Sequence, residues 1–287
     1  MLTQRPVLSA ATATFTAVAL IGLAAGSARA EEEVPLALPC RPTIACTAEF
    51  VPEGTLEIET GWLRRIQRDA RCVDATPVLL KLSLTDSLQL QAGTNGLVFG
   101  GGGNVRYLDD VVVGAKVLLL PQSSLAPALS LSGALSIPTF RGQPGYARTW
   151  DVISTLYVTK DFPWSLHADL NLGLALWRLE YKPLVQQELA LAISRPVFKG
   201  LPFTAMVEVY GFTDASPIAP RDAGILVGLA WTVWRNLVLD AGGDLELSRT
   251  QSASLFAGLT WTPGRLWHPH TSNHSRPWQT ASGSRPQ

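Results

Sequence analysis

Cys40, Cys46 and Cys72, with His167, His268, His270 and His274, are the side chains of this 287-residue chain best suited to nucleophilic, proton-transfer or metal chemistry. Their spacing supports little of it. Cys40 and Cys46 lie close together in a Pro-rich stretch and can close a small loop, while Cys72 stands apart. A metal site would need further Cys or His partners near them, and the sequence offers none. The trio His268, His270 and His274 has a spacing that could hold a metal, but the Pro, Ser, Thr and Asn around it read as a disordered end. His167 is a lone histidine on a polar strand face, suited to hydrogen bonding rather than to general-base work. Lipid hydrolysis at an apolar surface would need a Ser and a His side by side on an apolar face, and His167 lies on a polar one. Gly100 to Gly103 precede no helical pattern, so neither a phosphate-binding loop nor a dinucleotide fingerprint is present. The expectation is therefore no enzyme, no catalytic residue, no metal and no cofactor.

The other chemistry available is charge placed by alternation. Glu57, Glu59, Asp169, Glu188, Glu208, Asp240, Asp244 and Glu246, against Lys81 and Lys116, all fall on the polar side of segments whose other side is apolar. In 164–177, Trp164, Leu166, Ala168, Leu170, Leu172, Leu174 and Leu176 share one face, and His167, Asp169 and Asn171 share the other. In 236–248, Leu237, Leu239, Ala241, Leu245 and Leu247 oppose Asn236, Asp240, Asp244 and Glu246. A period of two is the mark of a strand with one apolar face. Helical spacing would scatter these residues around an axis.

The same reading gives about twelve strands: 54–63, 76–84, 88–97, 109–120, 125–138, 149–159, 164–177, 184–194, 202–213, 223–234, 236–248 and 252–262. Most are near ten residues long, enough to cross a bilayer at a tilt of ~45°. Short turns (85–87, 121–124, 160–163, 195–201 and 235–236) alternate with mostly longer loops (64–75, 98–108, 139–148, 178–183 and 214–222), as in outer-membrane barrels. Trp62, Trp150, Trp164, Trp231, Trp234 and Trp261 fall near strand ends, where interface girdles lie. Composition agrees. Only 16% of residues are charged and 47% are hydrophobic, against roughly 25% charged in soluble domains. Basic and acidic residues balance at 23 each, which excludes a disordered polyelectrolyte and argues against nucleic acid as a partner. A soluble β-sandwich would also alternate, but its solvated face would be rich in Lys and Glu. Here that face is sparse in charge, with Gly, Ser, Thr, Gln and a few acids.

The expected architecture is an all-β, antiparallel up-and-down transmembrane β-barrel in a bacterial outer membrane. Residues 1–30 read as a cleaved signal peptide, with Arg5, a short apolar stretch from Phe15 to Ala25, and an Ala28-Arg29-Ala30 cleavage site. Residues 31–53 read as a Pro-rich periplasmic segment, 54–262 as the barrel and 263–287 as a disordered tail. That topology predicts a Cys40–Cys46 bridge, with Cys72 left outside it in the first outer loop. The polar faces, His167 included, would line a lumen rich in acid, which favours cations; a plugged, hydrogen-bonded interior is the alternative. Arg64, Arg65, Arg68, Arg71, Arg106, Arg141, Arg148, Arg178, Arg221 and Arg249 gather on the long-loop side. They could clamp glycolipid phosphates or fold inward onto the lumen acids.

The segment from Val51-Pro52-Glu53-Gly54 through Glu57-Ile58-Glu59 to Gly61-Trp62 resembles the first strand of a family of outer-membrane transporters named after the meta-pathway of phenol degradation. Pro77 to Lys81, Leu84 to Leu90, and Asp109-Asp110-Val111 to Gly114-Ala115-Lys116 are similar to its next three strands. The resemblance covers about residues 50–262. It implies an outer-membrane barrel moving small, often hydrophobic, molecules, and it does not carry the solute across. The expected partners are outer-membrane lipid and a small-molecule solute, with the oligomeric state left open. A structural or adhesive barrel that transports nothing is the alternative. One departure stands out: outer-membrane chains commonly finish on an aromatic strand, whereas Trp261 is followed by further residues to Gln287.

Overall fold

Strands whose two faces differ this sharply bury one face by curling into a closed sheet, which also removes the exposed edges. The computed structural model describes residues 36–67, 72–100, 105–139, 150–179, 182–197, 200–214, 221–247 and 252–267. The segment 1–30, residues Glu31, Glu32 and Glu33, Arg68, Arg71, Arg141, Arg148 and Arg249, and His268, His270 and His274 lie outside them.

The strands are β1 (Thr55–Ile66), β2 (Cys72–Ala75), β3 (Val78–Thr85), β4 (Leu88–Thr94), β5 (Leu97–Gly100), β6 (Val105–Leu108), β7 (Val111–Leu120), β8 (Ala128–Ile137), β9 (Asp151–Phe162), β10 (Leu166–Leu179), β11 (Lys182–Pro196), β12 (Phe203–Phe212), β13 (Asp222–Trp234), β14 (Leu237–Glu246) and β15 (Ala253–Arg265). Twelve of them, β1, β3, β4 and β7 to β15, form a closed antiparallel barrel, sealed by β15 pairing with β1 from Thr55↔Arg265 to Ile66↔Ala253. The other three prolong the wall past one rim. The upper end of β1 leaves β3 and pairs with β2, which pairs with β5, which pairs with β6.

That prolongation has a local cause. Between β2 and β3 comes Thr76-Pro77, and Pro77 has no N–H for the ladder. Between β4 and β5 comes Asn95-Gly96, with Gly96 at φ +70 and packed against the Thr76 carbonyl. Between β6 and β7 come Asp109 and Asp110. The Asn95 amide donates to Asp109 (2.6 Å), the Gly96 carbonyl accepts from the Asp109 N–H (2.9 Å), and Asp110 accepts from the Thr139 N–H (3.0 Å). The breaks therefore align as one bend.

The faces separate as the alternation requires. Leu172, Leu174, Leu176, Leu189, Val207, Val209, Val227, Leu229 and Leu255 are exposed on the outside, while Asn171, Thr155, Glu208, Asp240 and Thr260 are buried inside. Moving such an apolar side chain out of water is worth roughly 1.5–3 kcal/mol, so this outer surface is built for an apolar medium. Among the described residues no helix is long and apolar enough to cross a membrane; the strands form the wall. Trp164, Trp231, Trp234 and Trp261 stand near the end with the shorter connections, and Trp231 stacks on Phe203 (5.8 Å). Trp62 and Trp150 stand near the other.

Several expected boundaries move. Where a loop was expected over 178–183, β10 runs to Leu179 and β11 starts at Lys182. The strand expected from 164 begins at Leu166, since Trp164 (φ 64) and Ser165 (φ 57) make a left-handed turn. The last strand, expected to stop at 262, continues to Arg265, and the Leu266 N–H reaches the Gly54 carbonyl (2.7 Å).

Candidate functional site: a lumen occupied by residues 36–53

The segment ahead of β1 is poor strand material. Pro39, Pro42 and Pro52 lack N–H donors, and the Cys40–Cys46 disulfide ties residues six apart into a small ring. Its remaining backbone donors and acceptors must find partners off the ladder. They find them on the inner face of the wall. The sequence reading set 31–53 outside the barrel; its described part, 36–53, lies within.

The segment enters beside the β13–β14 turn, where the Ala37 N–H donates to the Arg235 carbonyl (2.9 Å). Leu38 N–H donates to Glu57 (2.6 Å), while Cys40 and Arg41 N–H groups both donate to Glu59 (2.9 and 3.1 Å). Lys81 is buried between the two glutamates, ion-paired to Glu57 and to Glu59 (2.5 Å), and donates to the Leu38 carbonyl (2.9 Å). Further along, Ile44 and Ala45 N–H groups donate to Glu208 (2.7 and 2.8 Å). Lys116 donates to the Thr47 carbonyl (2.5 Å), with its ammonium over the rings of Tyr157 (4.4 Å) and Phe50 (5.1 Å). Ala48 N–H donates to Thr159, and Ser130 donates to the Ala48 carbonyl. The chain then returns to the rim it came from, where the Gly54 N–H donates to the Ser83 carbonyl (2.8 Å).

Arg41 reaches the wall with its charged side chain. Its guanidinium lies against Gly61 and Gly258, register partners across the β1–β15 seam, and a Cβ on either glycine would fall 2.6 Å from an Arg41 nitrogen. Asp240 of β14 is 3.5 Å from its Nε. Apolar contact is modest and made by small residues: Ala37 against Ala230 and Val238, Ala45 against Ala190, Ala192 and Tyr210, and Ala48 against Ala128 and Tyr157. Between the segment and the long-connection rim lies a cavity of about 350 Å³, lined in part by Cys40, Arg41, Glu59, Leu79 and Asp110.

The eleven charged or histidine positions read as lumen-lining thus divide. Glu57, Glu59, Lys81, Lys116, Glu208 and Asp240 meet residues 36–53 directly. His167 and Asp169 form a network near the short-connection rim: His167 bridges Asp161 (2.7 Å) and Asp169 (3.0 Å), and Asp169 accepts from Thr159 (2.5 Å). Glu49 of the segment lies in this neighbourhood. Burial, with Asp161 and Asp169 adding to it, pushes its carboxyl above the ordinary value of 4.5, against the opposing pull of His167 and Lys116. Glu188 packs over Gly173, Asp244 accepts from Tyr210 (2.8 Å), and Glu246 accepts from Ser252 and lies 3.5 Å from Arg65.

The arginines go both ways. Arg65 turns inward to Glu246, whereas Arg64 makes a two-bond pair with Asp74 (2.9 and 3.1 Å) beside Trp62. Arg221 is 4.0 Å from Asp214 on the rim. Cys72 lies in β2 and takes no part in the disulfide. Sequence reasoning passed over Arg41, Ser130 and Thr159. The signal available for Arg41 was a pair of inward glycines on strands that meet at the seam.

No protein-family model matches the chain, and no curated protein matches it in sequence. Among solved structures it is similar to the COG4313 outer membrane channel from Pseudomonas putida F1, with a TM-score of 0.55 and 12% identity over 75% of this chain and 97% of that one. It is also similar to the KdgM porin in complex with disordered oligogalacturonate, with a TM-score of 0.50 and 12% identity over 71% and 98%. Likeness at this identity shows the fold, which is that of outer-membrane β-barrels.

Proposed function

We propose that this chain is an outer-membrane β-barrel channel giving passive passage to small solutes, hydrophobic ones included. The observation that carries the reading is the inverted barrel, apolar on its outer face and polar within. Similarity in fold to channels and porins supports it, as does the resemblance of residues 50–262 to outer-membrane transporters. Export by a cleaved signal at residues 1–30 and contact with outer-membrane lipid belong to the same reading. Conductance steps for the purified protein in planar bilayers, and swelling of solute-loaded liposomes, are the expected result. A second reading is a structural or adhesive barrel that transports nothing, and the seated segment 36–53 favours it. Silence in both assays, from a protein that migrates faster on gels before heating than after, would select that reading.

A further inference from the structure

Residues 36–53 are not part of the sheet. Backbone bonds to the wall occur at the two ends, Ala37 to Arg235 and Gly54 to Ser83. Between them the segment is tied through the wall side chains Glu57, Glu59, Glu208, Lys81, Lys116, Ser130 and Thr159, and through Arg41 to the Ala257 carbonyl. Such a segment can leave without breaking a ladder. Its departure would return buried charges to water, and that gain in hydration offsets much of the bonding lost. The small apolar clusters around Ala37, Ala45 and Ala48 add little resistance.

The seated segment also masks charge. The Glu59 and Glu208 carboxylates each accept two of its backbone N–H groups, and Asp240 faces its arginine. With 36–53 withdrawn, Arg41 goes too. Glu57, Glu59, Glu208 and Asp240 then face the passage with Lys81 and Lys116 as the lysines nearest them, and Glu188 and Asp244 stand further along. Carboxylates in a narrow low-dielectric passage concentrate cations and repel anions.

Resting on the channel reading above, we propose that residues 36–53 are a displaceable gate pinned by Arg41 in the Gly61–Gly258 seat. Its withdrawal opens a path selective for small cations, organic ammonium ions included, with Glu57, Glu59, Glu208 and Asp240 setting the selectivity.

The test is single-channel recording of the full-length protein in a KCl gradient across a planar bilayer, with each form first checked for the gel shift on heating. Arg41→Ala is expected to raise the open fraction about tenfold, the weight of one charged contact, with a reversal potential on the potassium side. Deleting 37–50 is expected to give the same selectivity with the gate gone, and it stands in should the point variant fold poorly. Adding Glu208→Gln and Asp240→Asn to Arg41→Ala is expected to lower the cation-to-anion ratio several-fold while openings persist. Openings without cation preference, or with a preference untouched by the double neutralisation, overturn this proposal and leave the channel reading standing. Silence from every form overturns both.

Discussion

At the scale of single residues, the lumen shows charges held by groups of very different kinds. Lys81 sits between two carboxylates, whereas Lys116 has a backbone carbonyl and two aromatic rings. Replacing Lys116 by Met keeps a stem that fits between Tyr157 and Phe50 but removes the donor to Thr47. Amide exchange across residues 47–50 is expected to accelerate about tenfold, the cost of one hydrogen bond to a charged group, with the heat resistance of the barrel unchanged. Glu49 gives the seat a pH dependence whose sign follows from burial. Because its carboxyl binds a proton more tightly when seated than when released, the contribution of Glu49 to the seat is largest in acid. It weakens as pH rises from the ordinary value of 4.5 through the elevated one. Proteolysis within 36–53, followed against pH, should therefore increase over that window, and Glu49→Gln should flatten the profile.

Among the elements, the bend at Thr76-Pro77, Asn95-Gly96 and Asp109-Asp110 decides how far the barrel wall extends. Gly96 is required there because its φ of +70 lies in the left-handed region and its Cα faces the Thr76 carbonyl. A valine at 96 meets backbone strain of about 1–2 kcal/mol together with a clash against fixed main chain. Protease cleavage near 97–108 is expected to rise while the closure of β1 on β15 persists, read as an unchanged gel shift on heating. The expected strand limits shifted most where a turn differed from its composition. Arg178, Tyr181 and Pro183 suggested a loop, yet β10 and β11 remain paired up to Leu179↔Lys182. Pairing overrode local propensity, as strands often allow.

For the whole molecule, the decisive property is which side of the sheet meets protein. Leu174 of β10 and Val227 of β13 are more than half exposed on the outer surface. If hydrocarbon wets them, Leu174→Arg should lower the folding free energy in lipid vesicles by roughly 2–4 kcal/mol, the cost of a cation at the bilayer midplane. The same replacement on a water-facing strand would cost far less. Denaturant titration of refolded protein in vesicles measures the difference.

Alternation by itself determined the strands, their faces, the approximate strand number and the acids that would point inward, because the two-residue period of a β-strand is set by local covalent geometry. Sequence spacing also marked Cys40 and Cys46 as near neighbours in a Pro-rich segment. The place of that segment was not in the local pattern. Residues 36–53 show no strand period, and their partners are scattered: Glu57 is 19 residues from Leu38, and Glu208 is 164 from Ile44. Only closure of β15 on β1 brings Gly61 beside Gly258, creates the seat for Arg41, and encloses the space in which backbone N–H groups with no ladder of their own find wall carboxylates. That space exists once the sheet has closed, and no stretch of sequence contains it.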